Sequence, residues 1–356
     1  MALNFQAPTG TRDLYPADAN RRRYMLEAWR AASIRHGFEE IDGPTFEHLE
    51  TYTVKSGEGI VSELFSFQRF GGEKTFALRP EFTPTLARLY AAKAGSLPKP
   101  TRWFMAGPMF RAERPQRGRL REFLQWNCDV LGDPSPQADA DVIACCIGLL
   151  EQLGLTPEYV RVRTSNRDLI RDLSLHCGLP EDKIDFWYAY LDGEAKRSPQ
   201  ENTDFLVHRG IPLHARDAFN ALLDRVRQIK DPAEFSTEAF GIKLDTIERH
   251  RQMLTILQQM GLLEWCQPPL DLRVVRGLAY YTGMVFEVHE ISGGERAIAG
   301  GGRYDKLIEL FGGPPTPACG FGMGDVVLGL VLQDRGLMPS DAELAARAGA
   351  RPDVFL

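Results

Sequence analysis

Between residues 107 and 132 the sequence GPMFRAERPQRGRLREFLQWNCDVLG collects the ingredients of an anion site. Arg111, Arg114, Arg117, Arg119 and Arg121 fall within eleven positions of a chain whose formal net charge is −6. If 121–131 is a strand, its period of two puts Arg121, Phe123, Gln125, Asn127 and Asp129 on one face and Glu122, Leu124, Trp126, Cys128 and Val130 on the other. At about 3.3 Å per residue, Arg121 and Asp129 stand roughly 26 Å apart. That spacing suits an extended ligand, anionic at the arginine end and donating hydrogen bonds at the aspartate end, such as a nucleotide joined to something small and polar. Arginine fits phosphate because its planar fork donates two parallel hydrogen bonds and stays charged. A half-solvated amphipathic strand would show the same alternation, and it is the adjoining arginines that favour a ligand. On the preceding strand, read over 102–112, Arg111 shares a face with Glu113 and reaches the same surface, while Arg114, Arg117 and Arg119 fall in the loop.

Three further stretches carry candidate chemistry. RVVRGLAYYTGMVFE, 273–287, reads as a buried strand delivering Arg276 beside Gly277 and the pair Tyr280–Tyr281, although tyrosine pairs also serve as core with a polar tip. In AIAGGGRYDKLIELFGG, 297–313, three glycines read as the entry to a helix, where backbone approaches a ligand closely or simply turns tightly. PACGFGMGDVVLGLVLQD runs from a Gly-rich strand end into an apolar helix.

These pieces need a scaffold. The 356 residues, 44% of them hydrophobic and 25% charged, suffice for a large core. DANRRRYMLEAWRAASIRHG (18–37) and 138–153 have helical spacing, so 102–112 and 121–131 form a hairpin backed by a helix. From 176 to 262 the 3.6-residue period dominates, which reads as a helical insertion. LDLRVVRG, GMVFEVHEI and RAIAG then return to strand-like runs, with SGGE at 292–295 as a hairpin turn. No apolar run approaches the roughly 20 residues that span a bilayer, and MALNFQAPTGTRD lacks the order of a secretory signal, so the expectation is a cytoplasmic protein without membrane contact. The six cysteines form no CxxC pair, which leaves free, mostly buried thiols. The acidic balance excludes a protein that coats nucleic acid through a broad basic face.

Together the motifs resemble the class II aminoacyl-tRNA synthetases and, within them, the histidyl-tRNA synthetase family. FRAERPQRGRLREFLQWNCDVLG resembles the second class motif, PTGTRDLYP the family's N-terminal signature, RGLAYYTGMVFE its first histidine motif and AGGGRYDKL its second. The ordered set covers residues 8–336. The resemblance implies an α+β fold, a six-stranded antiparallel sheet flanked by helices, with a catalytic core over 1–175 and 263–336 and the helical insertion at 176–262. It also implies a homodimer, with GFEEIDGPTFEHLE and its Pro44 at the interface. The implied reaction activates L-histidine with ATP to histidyl-adenylate and passes it to tRNA(His), with Mg2+ bridging the phosphates.

By position, the resemblance gives Glu81 and Thr83 the substrate's α-amino group, with Phe82 lining the pocket and Gln125 helping. Asp129 and Tyr281 would read the two imidazole nitrogens, beside Tyr280. Such pairing leaves buried polar groups unsatisfied when a wrong amino acid enters. Arg111 would bind the α-phosphate and the histidine carboxylate, Glu113 the adenine amino group and Arg121 the distal phosphates. Arg276, with Arg111 the catalytic pair, would meet the histidine carboxylate and stabilise charge developing in the in-line attack.

The chain departs from the pattern at three points. Val327 stands where the third motif places an arginine, and Asp325 adds a like charge nearby. Ala279 replaces an acid. Residues 337–356 read as a polar linker and the first strand of an anticodon-binding domain, the expectation being a chain cut at that boundary or a relative without the domain. A histidine-sensing regulatory subunit of ATP phosphoribosyltransferase shares the implied fold and is the alternative function, but the adenine and α-phosphate residues favour the ligase.

Overall fold

A computed structural model describes residues 5–56, 58–236, 240, 245–277 and 280–349. Ala279 and the stretch 350–356, expected to open a further domain, lie outside the described residues. The strands, in chain order, are β1 (Glu39–Glu40), β2 (Phe46–His48), β3 (Ser66–Gln68), β4 (Thr75–Leu78), β5 (Thr101–Phe110), β6 (Glu122–Leu131), β7 (Val160–Asn166), β8 (Met284–Glu290), β9 (Ala299–Arg303) and β10 (Ala318–Gly324). Seven form one sheet in the order β1-β5-β6-β10-β9-β8-β7, and β2-β4-β3 form a small second sheet. Six antiparallel strands match the expected number, with β7 (Val160–Asn166) as a member the sequence reading did not name, and the two-residue β1 adds a parallel edge against β5.

The hairpin of β5 and β6 is the spine, paired from Thr101↔Leu131 to Phe110↔Glu122. The apolar face of β6 explains which helices cover it. Trp126, Cys128 and Val130 are fully buried under helix Pro16–Arg35, which contributes Trp29, and helix Pro136–Gln152. Trp126 stacks on Trp29 with ring centroids 6.3 Å apart, and its indole N–H donates to the Ser33 hydroxyl at 2.8 Å. Such an aromatic pair adds about 0.5–1.5 kcal/mol beyond the area it buries. Ser135 caps helix Pro136–Gln152 by accepting from the Ala138 N–H. The opposite sheet face packs Trp103, Met105 and Met109 of β5 with helix Thr83–Ala91, in one cluster with Leu131, Val285 and Ala318, and the site lies on this same face. Between β7 and β8 most of the described chain is helical, including Arg167–His176, Ile184–Gly193, Pro199–His208, Leu213–Val226 and Asp245–Gln259.

Three local expectations need correction. Residues 270–277 are not a strand. The Asp271 carboxylate accepts from the Arg273 N–H at 3.1 Å, an Asx turn, and from Arg163 Nε at 2.8 Å, so the side chain bends the segment that apolar alternation alone would extend. The three glycines 300–302 do not enter a helix but lie inside β9, their backbone paired with β8 and β10. The Ala-rich stretch after 337 contains helix Asp341–Arg347, whose Ser340–Glu343 capping box was legible as S-D-A-E. It docks on helix Pro16–Arg35 through Arg21 to Asp341 at 2.7 Å and Arg347 over the Tyr24 ring.

Gly301 shows why β9 needs glycine on its core face as well. A Cβ there would stand 2.5 Å from Phe321 Cβ and meet the Gly320 carbonyl oxygen. Both belong to the neighbouring strand and have no room to yield. Gly301→Ala is therefore expected to destabilise by roughly 1–3 kcal/mol or more, read as a lowered denaturation midpoint. An unchanged midpoint would show that β9 and β10 separate more easily than their register implies.

Candidate active site

The register of four strands builds a trough. Asp129, Asn127 and Gln125 of β6 stand directly opposite Gly320, Gly322 and Gly324 of β10. Gly320 and Gly322 in turn oppose Gly302 and Gly300 of β9, and these oppose Val285 and Glu287 of β8. Directly paired residues share a face, so five glycines leave two adjacent strands bare between walls of side chains. The walls on β6 and β8 are three strand spacings of about 4.8 Å apart, roughly 14 Å between backbones. Side chains from the walls lean over the floor. A Cβ on Gly320 would collide with the Asp129 carboxylate, one on Gly322 would stand 2.9 Å from Gln125 Nε2, and one on Gly300 2.5 Å from the Arg276 guanidinium carbon.

At one end lies a buried polar pocket. Asp129 is 1% exposed. Its Oδ1 accepts from the Tyr304 hydroxyl at 2.6 Å, whereas Oδ2 has no partner among the described residues. Burial, reinforced by Glu81 and only partly offset by Tyr304, pushes its pKa up to about 7. Glu81 is buried too and raised by desolvation, with Arg111 and Arg276 pulling the other way. The Tyr280 hydroxyl donates to Glu81 Oε2 at 2.7 Å. Glu81 is set there because the preceding Arg79–Pro80 segment is tied to the end of β5: Phe110 N–H donates to the Arg79 carbonyl, Arg79 Nε to Pro108 O at 2.8 Å, and Arg111 Nε to Pro80 O at 3.1 Å. Phe82, buried, precedes helix Thr83–Ala91, whose first residue Thr83 is near-buried beside Tyr280. Tyr281 stacks obliquely on Tyr280, ring centroids 4.9 Å apart.

Arg276 crosses the trough floor. Its φ of 58° lies in the left-handed region that an L side chain rarely adopts. Its guanidinium pairs with Glu287 Oε1 at 2.7 Å, and His289 Nε2 lies 2.8 Å from the other Glu287 oxygen. Burial alone would raise Glu287, but His289 and Arg276 outweigh it and hold the carboxyl at about 2. Arg276 Nε is buried without a partner among the described residues.

The structure thus gathers Glu81, Phe82, Thr83, Arg111, Gln125, Asp129, Arg276, Tyr280 and Tyr281 around one trough. Glu113 and Arg121 stand at its far end with other engagements: Glu113 pairs with Arg119 at 2.7 Å, and Arg121 donates to the carbonyls of Glu113 and Thr9 at 3.2 and 3.3 Å. Arg121 meets the N-terminal signature there, since a Cβ on Gly10 would stand 2.9 Å from Arg121 Cγ. Asp325 is not a free charge beside the site. It is buried, accepts from Arg12 at 2.7 Å and from the Leu124 N–H at 2.8 Å, and so is neutralised by the signature's own arginine. Sequence reading missed Tyr304, Glu287 and the glycine floor. The signal existed, because Gly300-x-Gly302 and Gly320-x-Gly322-x-Gly324 repeat with the period of a strand face.

This sheet is the catalytic-domain fold of the class II aminoacyl-tRNA synthetases. A protein from Bacillus halodurans C, described as an ATP phosphoribosyltransferase regulatory subunit/histidyl-tRNA synthetase, shares it with a TM-score of 0.77 at 24% identity, over 96% of this chain and 85% of its own. The histidyl-tRNA synthetase of Nostoc sp. PCC 7120 does so at 0.76 and 23%, over 95% and 77%. Sequence narrows the class: residues 10–324 match the family Histidyl-tRNA synthetase. The histidine--tRNA ligase of Opitutus terrae is 40% identical over 343 residues, 94% of this chain and 76% of the relative. The chloroplastic/mitochondrial histidine--tRNA ligase of Arabidopsis thaliana is 37% identical over 337 residues, 95% and 68%. The chain belongs to the histidyl-tRNA synthetase family.

Proposed function

We propose that this chain is a histidine--tRNA ligase that activates L-histidine with ATP and transfers it to tRNA(His). The observation that carries the reading is that two buried charged side chains, Asp129 and Arg276, each keep a polar atom without a protein partner among the described residues, Oδ2 and Nε, and both stand over the same glycine floor, where a ligand can reach them. An imidazole N–H satisfies Asp129 Oδ2, with Tyr281 on the second ring nitrogen and Tyr280 closing the pocket. The α-ammonium sits against Glu81, with Thr83 and Gln125 as acceptors and Phe82 as an apolar wall. The histidine carboxylate then lies between Arg111 and Arg276 and attacks the α-phosphorus in line. The new O–P bond forms as the bond to pyrophosphate breaks, and the two guanidinium groups take up the negative charge gathered on the phosphoryl oxygens. A terminal ribose hydroxyl of the tRNA next displaces AMP from the adenylate. Glu113 meets the adenine amino group and Arg121 the distal phosphates. Among the described residues no three His, Cys, Asp or Glu side chains converge as a metal site. Mg2+, which the resemblance implies, would be held chiefly by the phosphates of ATP and would supply neutralisation of their charge.

In this reading residues 1–175 and 263–336 are the catalytic core and 176–262 a helical insertion. The chain pairs with a second copy through the edge near Pro44, where Phe46 and Phe67, rings 5.8 Å apart, stand exposed on the small sheet. No helix among the described residues is long and apolar enough to cross a membrane; in this reading the enzyme is cytoplasmic. Incubated with histidine, ATP and Mg2+, the chain should exchange labelled pyrophosphate into ATP, and light scattering should read twice the chain mass. Histidine binding without exchange would overturn the ligase reading in favour of a histidine sensor, which needs the histidine pocket but not the adenine contact of Glu113 or the phosphate contact of Arg121.

A further inference from the structure

Val327, which stands where the resemblance to the third class motif implies an arginine, is 7% exposed within the core. An isopropyl group cannot hold a phosphate. The surrounding geometry shows what replaces it. The loop after β5 folds back until Gly118, with φ of 74°, rests on the first turn of helix Asp325–Asp334. A Cβ on Gly118 would stand 3.2 Å from Val327 Cγ2, 3.7 Å from Glu295 Oε2 and 3.9 Å from Arg296 Cδ. The connection between β8 and β9 therefore comes to the same glycine as Val327 and brings Arg296 with it. Arg117 braces the arrangement, donating to Glu295 Oε1 at 2.6 Å and to Asp334 Oδ2 at 3.0 Å, so that loop, connection and helix are tied together.

Arg296 makes no hydrogen bond or ion pair with the described residues. Its charged neighbours are Arg119, Glu113 and Arg111, the residues at the nucleotide end of the trough. Glu113 already pairs with Arg119. Counting the Arg117–Glu295 and Arg117–Asp334 pairs, the four guanidinium groups of Arg111, Arg117, Arg119 and Arg296 meet the three carboxylates of Glu113, Glu295 and Asp334, and Arg296, exposed at the rim beside Arg119, has no ion pair of its own among the described residues. An anion relieves that excess of positive charge.

We propose that Arg296 binds the terminal phosphates of ATP and supplies, from the β8–β9 connection, the contact that Val327 does not. The proposal rests on the ligase reading of the same site. Its test measures ATP and AMP binding by calorimetry beside pyrophosphate exchange, for the unaltered chain, Arg296→Ala, Arg296→Lys and the double variant Arg296→Ala with Val327→Arg. Arg296→Ala should weaken ATP binding and raise its KM about ten- to a hundredfold, as expected for lost charge-assisted hydrogen bonds. AMP binding and the KM for histidine should stay unchanged. Lysine should restore part of the loss, and the arginine at 327 should do so from the opposite side of Gly118. Equal ATP-to-AMP affinity ratios in Arg296→Ala and the unaltered chain would overturn the proposal, as would a parallel loss of both nucleotides. If the unaltered chain prefers ATP over AMP but performs no exchange, the ligase reading fails while the Arg296 comparison still decides this one.

Discussion

Arg276→Gly should lower the kcat of pyrophosphate exchange by about a thousandfold, the scale of removing one preorganised donor from a developing oxyanion, while leaving the protein as stable or more so. The second half separates a functional residue from a structural one. With φ at 58° the backbone of Arg276 costs about 1–2 kcal/mol relative to a relaxed L residue, and glycine pays none of this. The substitution leaves Glu287 Oε1 without its cation, but the other oxygen keeps its hydrogen bond to His289, so this cost is set against the relieved strain. Natural sequence would favour glycine here on conformational grounds alone. An arginine held in this geometry by Glu287, and given room by Gly300, is strain retained for what the side chain does. Arg276→Lys keeps the charge but loses the fork, and should recover only a small part of the rate. A large fall in the denaturation midpoint of Arg276→Gly would instead mark Arg276 as a core brace.

Much of this site was legible because a strand converts spacing into facing. The alternation from Arg121 to Asp129 placed Gln125, Asn127 and Asp129 on one wall, and the fold keeps them there. The hairpin and its backing helices followed from apolar period, since Trp126 and Trp29 had to find cover. Two kinds of information were not in the period. The first is local polar chemistry: Asp271 bends 270–277 through its own carboxylate, so the apolar run that suggests a strand is delivered as a loop, and that loop gives Arg276 its φ. The second is register between distant strands. Tyr304 meets Asp129, and Gly118 meets Val327 and Arg296, only once β6, β8, β9 and β10 are aligned. A residue such as Arg296, alone in a surface connection, has no pattern along the chain to mark it.

Asp129→Asn should raise the KM for histidine about a hundredfold, the scale of losing a hydrogen bond to a buried charge, and should also make the empty protein more stable, increasingly so with rising pH. Burial lifts the folded-state pKa of Asp129 to about 7, against an ordinary aspartate value of 3.8 in the unfolded chain. The folded protein therefore binds this proton more tightly than the unfolded one. Stability from the group is fully present below about pH 4 and is lost as pH rises, until at pH 8 the ionised carboxylate costs on the order of 4 kcal/mol. Asparagine cannot ionise, so the difference between variant and parent should grow from near zero at pH 4 to several kcal/mol above pH 7, measured as paired denaturation curves. Histidine should close that gap by stabilising the parent at pH 8, because its ring N–H meets the oxygen that the fold leaves open, and should do little for the variant. A difference independent of pH would mean that Asp129 is ionised at no cost, with its second oxygen already satisfied. The specificity of the pocket would then have to come from Tyr280 and Tyr281 rather than from a carboxylate kept short of one partner.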